Sequence, residues 1–366
     1  MKLLLLTLFL FFSCSTKPAQ ENCEEFRIVT DALGRRVKVP RNVDHILCSG
    51  AGALRYAAYL KLHGKVVGVD DAEKRTDPAL NTRPYSIAYP DFAGLPLFGE
   101  FRGRENPELI LSLDPAPQVI FKTYADMGSS VERLQEQTGI PVVALEYGDL
   151  MADRDAMFTT LNMMGEITGH EARAREVTDF FDEECEKLQN MDVSSEGMPF
   201  LGGLSSRGTH GFLSTSPIYT PFELLGIPNI VHRGPQMMQN LRHTIVSEEK
   251  ITQWDPEIIF LDLASTVNPE SEGNALHELK TDPLLQELSA VRNSHVYTVI
   301  PHNSYTTNHG SVLANAYYIA SVLGNEDIDA RKRADEIYTF LVGKPVFQDI
   351  NAVFDEEAFR RIHVSY

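Results

Sequence analysis

Cysteine, tryptophan and basic residues are all scarce in this 366-residue chain, which has four Cys, one Trp, and 33 Lys and Arg against 51 Asp and Glu. The cysteines, Cys14, Cys23, Cys48 and Cys185, are widely spaced and form no C-x-x-C, so neither a zinc ribbon nor a thioredoxin-type site is supported. The formal net charge is -18. Nucleic-acid binding needs a concentrated basic footprint, and a surface this acidic argues against it. G-x-S-x-G, H-E-x-x-H and Walker loops are missing, which removes the familiar hydrolase and NTPase signatures. After the first thirteen residues, no apolar run approaches the roughly 20 helical residues that cross a bilayer. With 43% hydrophobic residues the chain is too apolar for disorder and too long for one small core, so two domains are expected.

The start of the chain reads as an export signal. Lys2 supplies a positive n-region and Leu3 to Phe12 an apolar h-region, too short to span a bilayer. Ser13-Cys14 then closes a segment that resembles a bacterial lipobox, with Phe11 where Leu is usual. Residues 1–13 are therefore read as a signal peptide, Cys14 as the lipidated residue and 14–23 as a polar tether. With Cys14 lipidated, Cys48 and Cys185 sit in apolar patterns as buried thiols, and a disulfide at Cys23 is left open.

The remainder alternates strand-like and helix-like patterns. Arg27 to Val29 and Arg36 to Val39 flank a turn at Asp31-Ala-Leu-Gly34. His45 to Cys48, Lys65 to Val69, Gln118 to Phe121 and Pro141 to Leu145 read as buried strands separated by helices, the signature of a parallel sheet covered on both faces. From Asp153 to Met191 the pattern is helical, broken at Gly169. The second helix carries Val177, Phe180, Phe181, Cys185 and Leu188 at helical spacing and spans roughly 30 Å at 1.5 Å per residue. Alternation then resumes with strands at 199–204, 257–263 and 295–299. The halves echo one another: Glu108 to Asp114-Pro115 before one strand matches Glu249 to Asp255-Pro256 before another. The boundaries expected are 24–150 for a first β/α lobe, 151–191 for linking helices, 192–345 for a second lobe and 346–366 for a C-terminal tail.

These features together resemble the substrate-binding proteins of ABC importers for iron-siderophores, haem and cobalamin. The opening Thr30 to Pro40 with Val43 to Leu47, and Asn106-Pro-Glu-Leu-Ile-Leu-Ser-Leu-Asp-Pro115, carry the resemblance, which covers residues 24–345. It implies an α/β fold of two Rossmann-like lobes joined by a single long helix, as in class III periplasmic binding proteins. It further implies a non-enzymatic, exported monomer with no intrinsic cofactor, held to the membrane by its lipid. That protein would deliver a chelated iron complex or tetrapyrrole to a permease and its ATPase. Docking in the family uses one acidic residue per lobe, by position Glu108 and Glu223.

Cargo is expected at loops following the strand C-termini. Those loops hold Tyr85, Tyr89, Arg102 and Arg104 in the first lobe. In the second they hold Arg207, His210, Tyr219, His302, Tyr305 and His309. Aromatic faces with a few cations suit a large, partly anionic iron complex, so Tyr89, Arg102, Arg207 and Tyr305 lead the candidates, followed by Tyr85, His210, Tyr219 and His302. Haem would draw an axial ligand from Tyr89, His210 or His302, while a corrinoid would use aromatic walls with few charges. Two rivals come from other classes. Gly50-Ala-Gly52 with Asp70 partly fits a dinucleotide fingerprint, but Arg55 occupies the third glycine position. His210, His302 and His309 could instead supply a bare zinc or manganese receptor, though no His-x-His marks one.

Overall fold

The computed structural model describes residues 25–364 apart from 76, 78–79, 194–196, 206–209, 237–240, 267–272 and 325–326. Residues 1–13, read above as a signal peptide, and Cys14, Cys23 and Arg207 lie outside the described residues.

A hairpin opens the fold: β1 (Phe26–Thr30) runs antiparallel to β2 (Arg36–Pro40), and the alternation buries Val29, Val37 and Val39. The first lobe has a parallel sheet ordered β3 (Ile46–Ser49), β7 (Val119–Thr123), β8 (Val142–Leu145), each strand fully buried. A bridge between Ile46 and Val66 leads to a smaller sheet of β4 (Val69–Asp70), β5 (Leu97–Glu100) and β6 (Arg104–Glu105). The strand expected over 65–69 is thus shorter, because Val66 makes only that one bridge. In the second lobe β9 (Phe200–Gly202), β12 (Ile259–Asp262) and β13 (Val296–Val299) are parallel. The pair β10 (Ser214–Thr215) and β11 (Thr244–Ile245) stands apart as a two-stranded antiparallel sheet. Runs such as Ile-Phe-Leu-Asp in β12 are buried on both faces, as parallel sheets covered by helices require.

Helices Arg154–Thr168 and Glu171–Gln189 lie between the lobes in sequence, divided by Gly169 in a left-handed C-cap (φ 73°), a conformation that glycine adopts without Cβ strain. The longer helix buries Ala174, Val177, Phe181, Cys185 and Leu188 along one stripe. It is fastened at both ends. Arg173 donates from Nε to the Tyr59 carbonyl (2.9 Å) and from Nη2 to the Phe340 carbonyl (2.5 Å), while the buried Glu184 carboxylate accepts from Tyr317 (2.6 Å) and Arg333. Two later helices, His309–Val322 and Ala330–Val342, pack on this junction; the second also touches helices Ala53–Tyr59 and Pro84–Ala88 of the first lobe. One apolar cluster therefore runs through both lobes.

Residues 346–366 were expected to be a tail, and the structure corrects this. Phe347–Ala352 is a helix whose Phe347 and Ile350 are buried, and β14 (Arg361–Ile362) adds antiparallel to β13. Phe347, Ile350 and Phe354 have the 3–4 spacing of a helix buried on one face, and burial of that face packs the segment against helices Ala330–Val342 and Pro84–Ala88.

Candidate functional site

The loops after β3, β7 and β8 meet the second lobe at the junction. Gly50 and Gly52, in left-handed conformations (φ 82° and 87°), turn the chain into helix Ala53–Tyr59. A Cβ on Gly52 would lie 2.1 Å from the Tyr147 ring. Gly52 therefore makes room for an aromatic ring and Gly50 for Thr123, which leaves the dinucleotide reading without its phosphate cradle. Tyr147 stacks on Tyr56 (centroids 4.7 Å apart, 12° between planes) and on His309 (5.0 Å, 21°), with Tyr124 at 6.4 Å. Tyr124 ends the stack and is 39% exposed.

A cavity of about 540 Å³ opens against this stack, walled by Tyr124, Asp126, Glu146, Tyr147 and Asp149 of the first lobe and by Arg242 of the second. Its size lies in the range of small-molecule sites, roughly 300–1,000 Å³. Arg242 is 3.8 Å from Asp149 across the junction. Glu223, in helix Thr220–Leu224, is half-buried beside this pair; burial and repulsion from Asp149 raise its pKa, and Arg242 opposes them.

The structure distributes the sequence-predicted residues over several places. Arg102 is exposed; its backbone N–H donates to the Tyr305 hydroxyl (3.1 Å) and its guanidinium lies 5.0 Å from the Phe101 ring centre. Tyr305 in turn donates to Asp70 of the first lobe. His210 is exposed with its ring 5.4 Å from His243, and the His243 Nε2 is 2.8 Å from Ser214 Oγ. Ser214 donates its hydrogen to the Leu204 carbonyl (2.5 Å), which leaves its oxygen to accept from the His243 Nε2–H. His302 packs 5.4 Å from the Tyr219 ring.

Three of the expected residues lie apart from the cavity lining. Tyr85 is 1% exposed, its hydroxyl donating to Glu73 (2.7 Å) beside the buried Arg83–Glu73 pair. Tyr219 is 1% exposed and accepts from Asn315 (3.3 Å). Tyr89 stacks on His63 (4.1 Å), away from the cavity. The Tyr85 and Tyr219 rings are core rings whose hydroxyls keep a partner, whereas Tyr89 is half-buried against His63. Arg55 and Asp70 were weighed only for a dinucleotide fingerprint, and Tyr124, Tyr147 and His243 were not singled out, although Tyr124 and Tyr147 lie one and two residues after β7 and β8, the positions that the strand-end rule marks. Among the described residues no cluster of three or more His, Cys, Asp or Glu could hold a metal ion, and no helix is long and apolar enough to cross a membrane.

Buried titratable groups give the second lobe an unusual pH response. Burial raises Asp262 to about 7 and lowers His302 to about 4 and His309 to about 3. Between about 3.8 and 7 the native chain holds a proton on Asp262 that the unfolded chain has released, so this group adds stability as pH falls. Below about 6.5 the unfolded chain protonates both histidines while the native chain does not, so they remove it. The effects oppose each other near pH 4–6. Asp262→Asn keeps the acceptor for the Ala264 N–H (2.8 Å) and cannot ionise. It is expected to gain about 2–4 kcal/mol at pH 8 and to lose stability more steeply below pH 6. Denaturant midpoints from pH 5 to 8 check this; parallel profiles for variant and wild type would contradict it.

With this geometry in place, the comparisons agree. The chain belongs to the periplasmic binding protein family, whose model matches residues 58–302. A periplasmic solute-binding protein of Veillonella parvula superposes with a TM-score of 0.68 at 16% identity, over 91% of this chain and 98% of that one. MolA, the molybdate periplasmic binding protein of a Haemophilus influenzae ABC transporter, gives 0.62 at 18% identity, over 87% and 98%. VctP, the catecholate-siderophore-binding protein of Vibrio cholerae, gives 0.55 at 12%, over 82% and 100%. At these identities the likeness is one of fold. Comparison with curated proteins returns no match.

Proposed function

We propose that this chain is the cargo-binding lipoprotein of an ABC importer, anchored through Cys14, and that it captures a ferric siderophore between its lobes for delivery to the permease. The observation that carries this reading is the cavity of about 540 Å³ beside the Tyr124–Tyr147 stack, lined by loops of the first lobe and closed by Arg242 of the second. Its walls hold the Tyr124 and Tyr147 rings together with Asp126, Glu146, Asp149, Asp153 and Arg242, and aromatic faces suit a bulky cargo that brings its own metal donors. Arg242 is the cation of the lining, and Arg102, exposed beside Phe101, lies outside it. A protein of similar fold, VctP, binds a catecholate siderophore.

One feature favours a tetrapyrrole instead. The exposed His210 and its neighbour His243 offer imidazoles for the axial position of a haem, and HutB of Vibrio cholerae, also similar in fold, is a haem-binding protein. Titration with ferric catecholate, ferric hydroxamate, haemin and cobalamin, followed by Trp254 fluorescence, decides between them. A ferric chelate is expected to saturate one site below a micromolar. Tight binding of haemin or cobalamin alone would transfer the cargo to that class, and no binding by any of the four would remove the proposal.

A further inference from the structure

The loop 303–307 belongs to the second lobe in sequence but is fastened to the first. Asn303 and Thr307 form an antiparallel bridge, and the Asn308 N–H donates to the His302 carbonyl (2.6 Å), closing the segment into a ring. Tyr305 and Thr306 both adopt positive φ (50° and 67°), uncommon for non-glycine residues and most costly for β-branched Thr. That conformation turns four successive carbonyls toward a single side chain. Arg55 donates from Nη1 to Thr307 O (2.8 Å) and from Nη2 to Ser304, Tyr305 and Thr306 O (3.1, 3.3 and 3.4 Å).

Arg55 is 1% exposed, and none of the described carboxylates pairs with it. A guanidinium remains charged when buried, and here the carbonyl ring and the Tyr147 hydroxyl are what solvate it. The dependence is mutual, since without the guanidinium the half-buried Ser304, Tyr305 and Thr306 carbonyls would lose this donor. The loop also touches the cavity wall. Tyr147 donates to Thr307 O (2.6 Å), and Tyr124 Oη lies 2.7 Å from Thr306 Oγ1. On its other side Tyr305 bonds Asp70 and the Arg102 N–H.

We propose that Arg55 is a positioning residue for cargo capture: by filling the 304–307 carbonyl ring it fixes this loop on the first lobe, so the aromatic wall of the cavity is in place before cargo arrives. The inference rests on the cargo-binding reading above. Arg55 itself is too buried to touch cargo. Lysine cannot substitute, because an ammonium lacks the planar fork that reaches both ends of the ring.

The test uses cargo-free full-length protein, so its outcome is separable from the identity of any cargo. Amide exchange at Arg102 and Asn308 reports the loop, because their acceptors are the Tyr305 hydroxyl and the His302 carbonyl. Both amides are expected to be protected in the wild type. In Arg55→Ala and Arg55→Lys both should exchange at least tenfold faster, with β12 unchanged, and millimolar methylguanidinium should restore protection in Arg55→Ala. Tyr305→Phe, a milder variant should those fail to fold, should free the Arg102 amide and leave Asn308 protected. Unprotected wild-type amides, unchanged rates in the Arg55 variants, or an unrescued loss that extends to β12 would overturn the inference. So would release of Asn308 in Tyr305→Phe.

Discussion

Lys122→Ala should lower unfolding free energy by about 3–5 kcal/mol, the usual cost of stranding one member of a buried ion pair. Lys122, in β7, and Glu105, in β6, both have fully buried side chains and pair directly. Glu105 also accepts from Ser49, and Lys122 donates to the Gly103 carbonyl (3.2 Å). The pair therefore joins the two sheets of the first lobe under the loop that carries Arg102. Removing the ammonium leaves a carboxylate with one hydroxyl donor and no access to water. Replacing both partners, as Lys122→Met with Glu105→Leu, should recover most of the loss, because no charge is then left buried. Urea denaturation of the two variants measures both. A single-variant loss below 1 kcal/mol would mean that water reaches the carboxylate.

The second large effect concerns delivery. Glu108 is exposed in helix Pro107–Leu111, behind Asn106, whose side chain caps the Glu108 N–H (2.9 Å). Glu223, its partner by the first reading of position, is half-buried and faces Asp149 and Arg242 at the junction. The internal echo points to Glu249 instead. It is exposed in helix Glu248–Trp254, which ends at Asp255-Pro256 as the Glu108 segment ends at Asp114-Pro115. Glu108→Arg with Glu249→Arg is expected to cut uptake of labelled cargo into cells more than tenfold while cargo affinity in solution stays unchanged. Glu223→Arg is expected to do the reverse and weaken cargo binding, since it alters the charge beside Arg242. Normal uptake by the double variant would remove the docking assignment.

Local patterns account for the parts of the fold that were readable in advance. The β1–β2 hairpin, the fully apolar strands and the stripe Val177, Phe181, Cys185, Leu188 each declare themselves within a few residues, because period and burial coincide there. Lys122 is the informative exception within a strand, since only its pairing with Glu105, 17 positions earlier, makes a buried lysine tolerable. The candidate site was less legible for the same reason. Arg55 and Thr307 are 252 positions apart, and nothing near Arg55 signals that it will meet a ring of carbonyls. Tyr85 and Tyr219 look like loop aromatics in sequence, yet both rings are drawn into the core, each with its hydroxyl bonded. The segment 347–354 was legible and missed: its apolar spacing is helical, but its place at the end of the chain suggested a tail.

Capture between the lobes is tested most directly by an exchange footprint of the protein saturated with whichever chelate it binds. The account predicts added protection in both lobes at once, at 124–127 and 145–149 in the first and around Arg242–Ile245 in the second, with the β1–β2 hairpin strands unchanged. Protection confined to one lobe, or a saturated complex with no change at these loops, would contradict it.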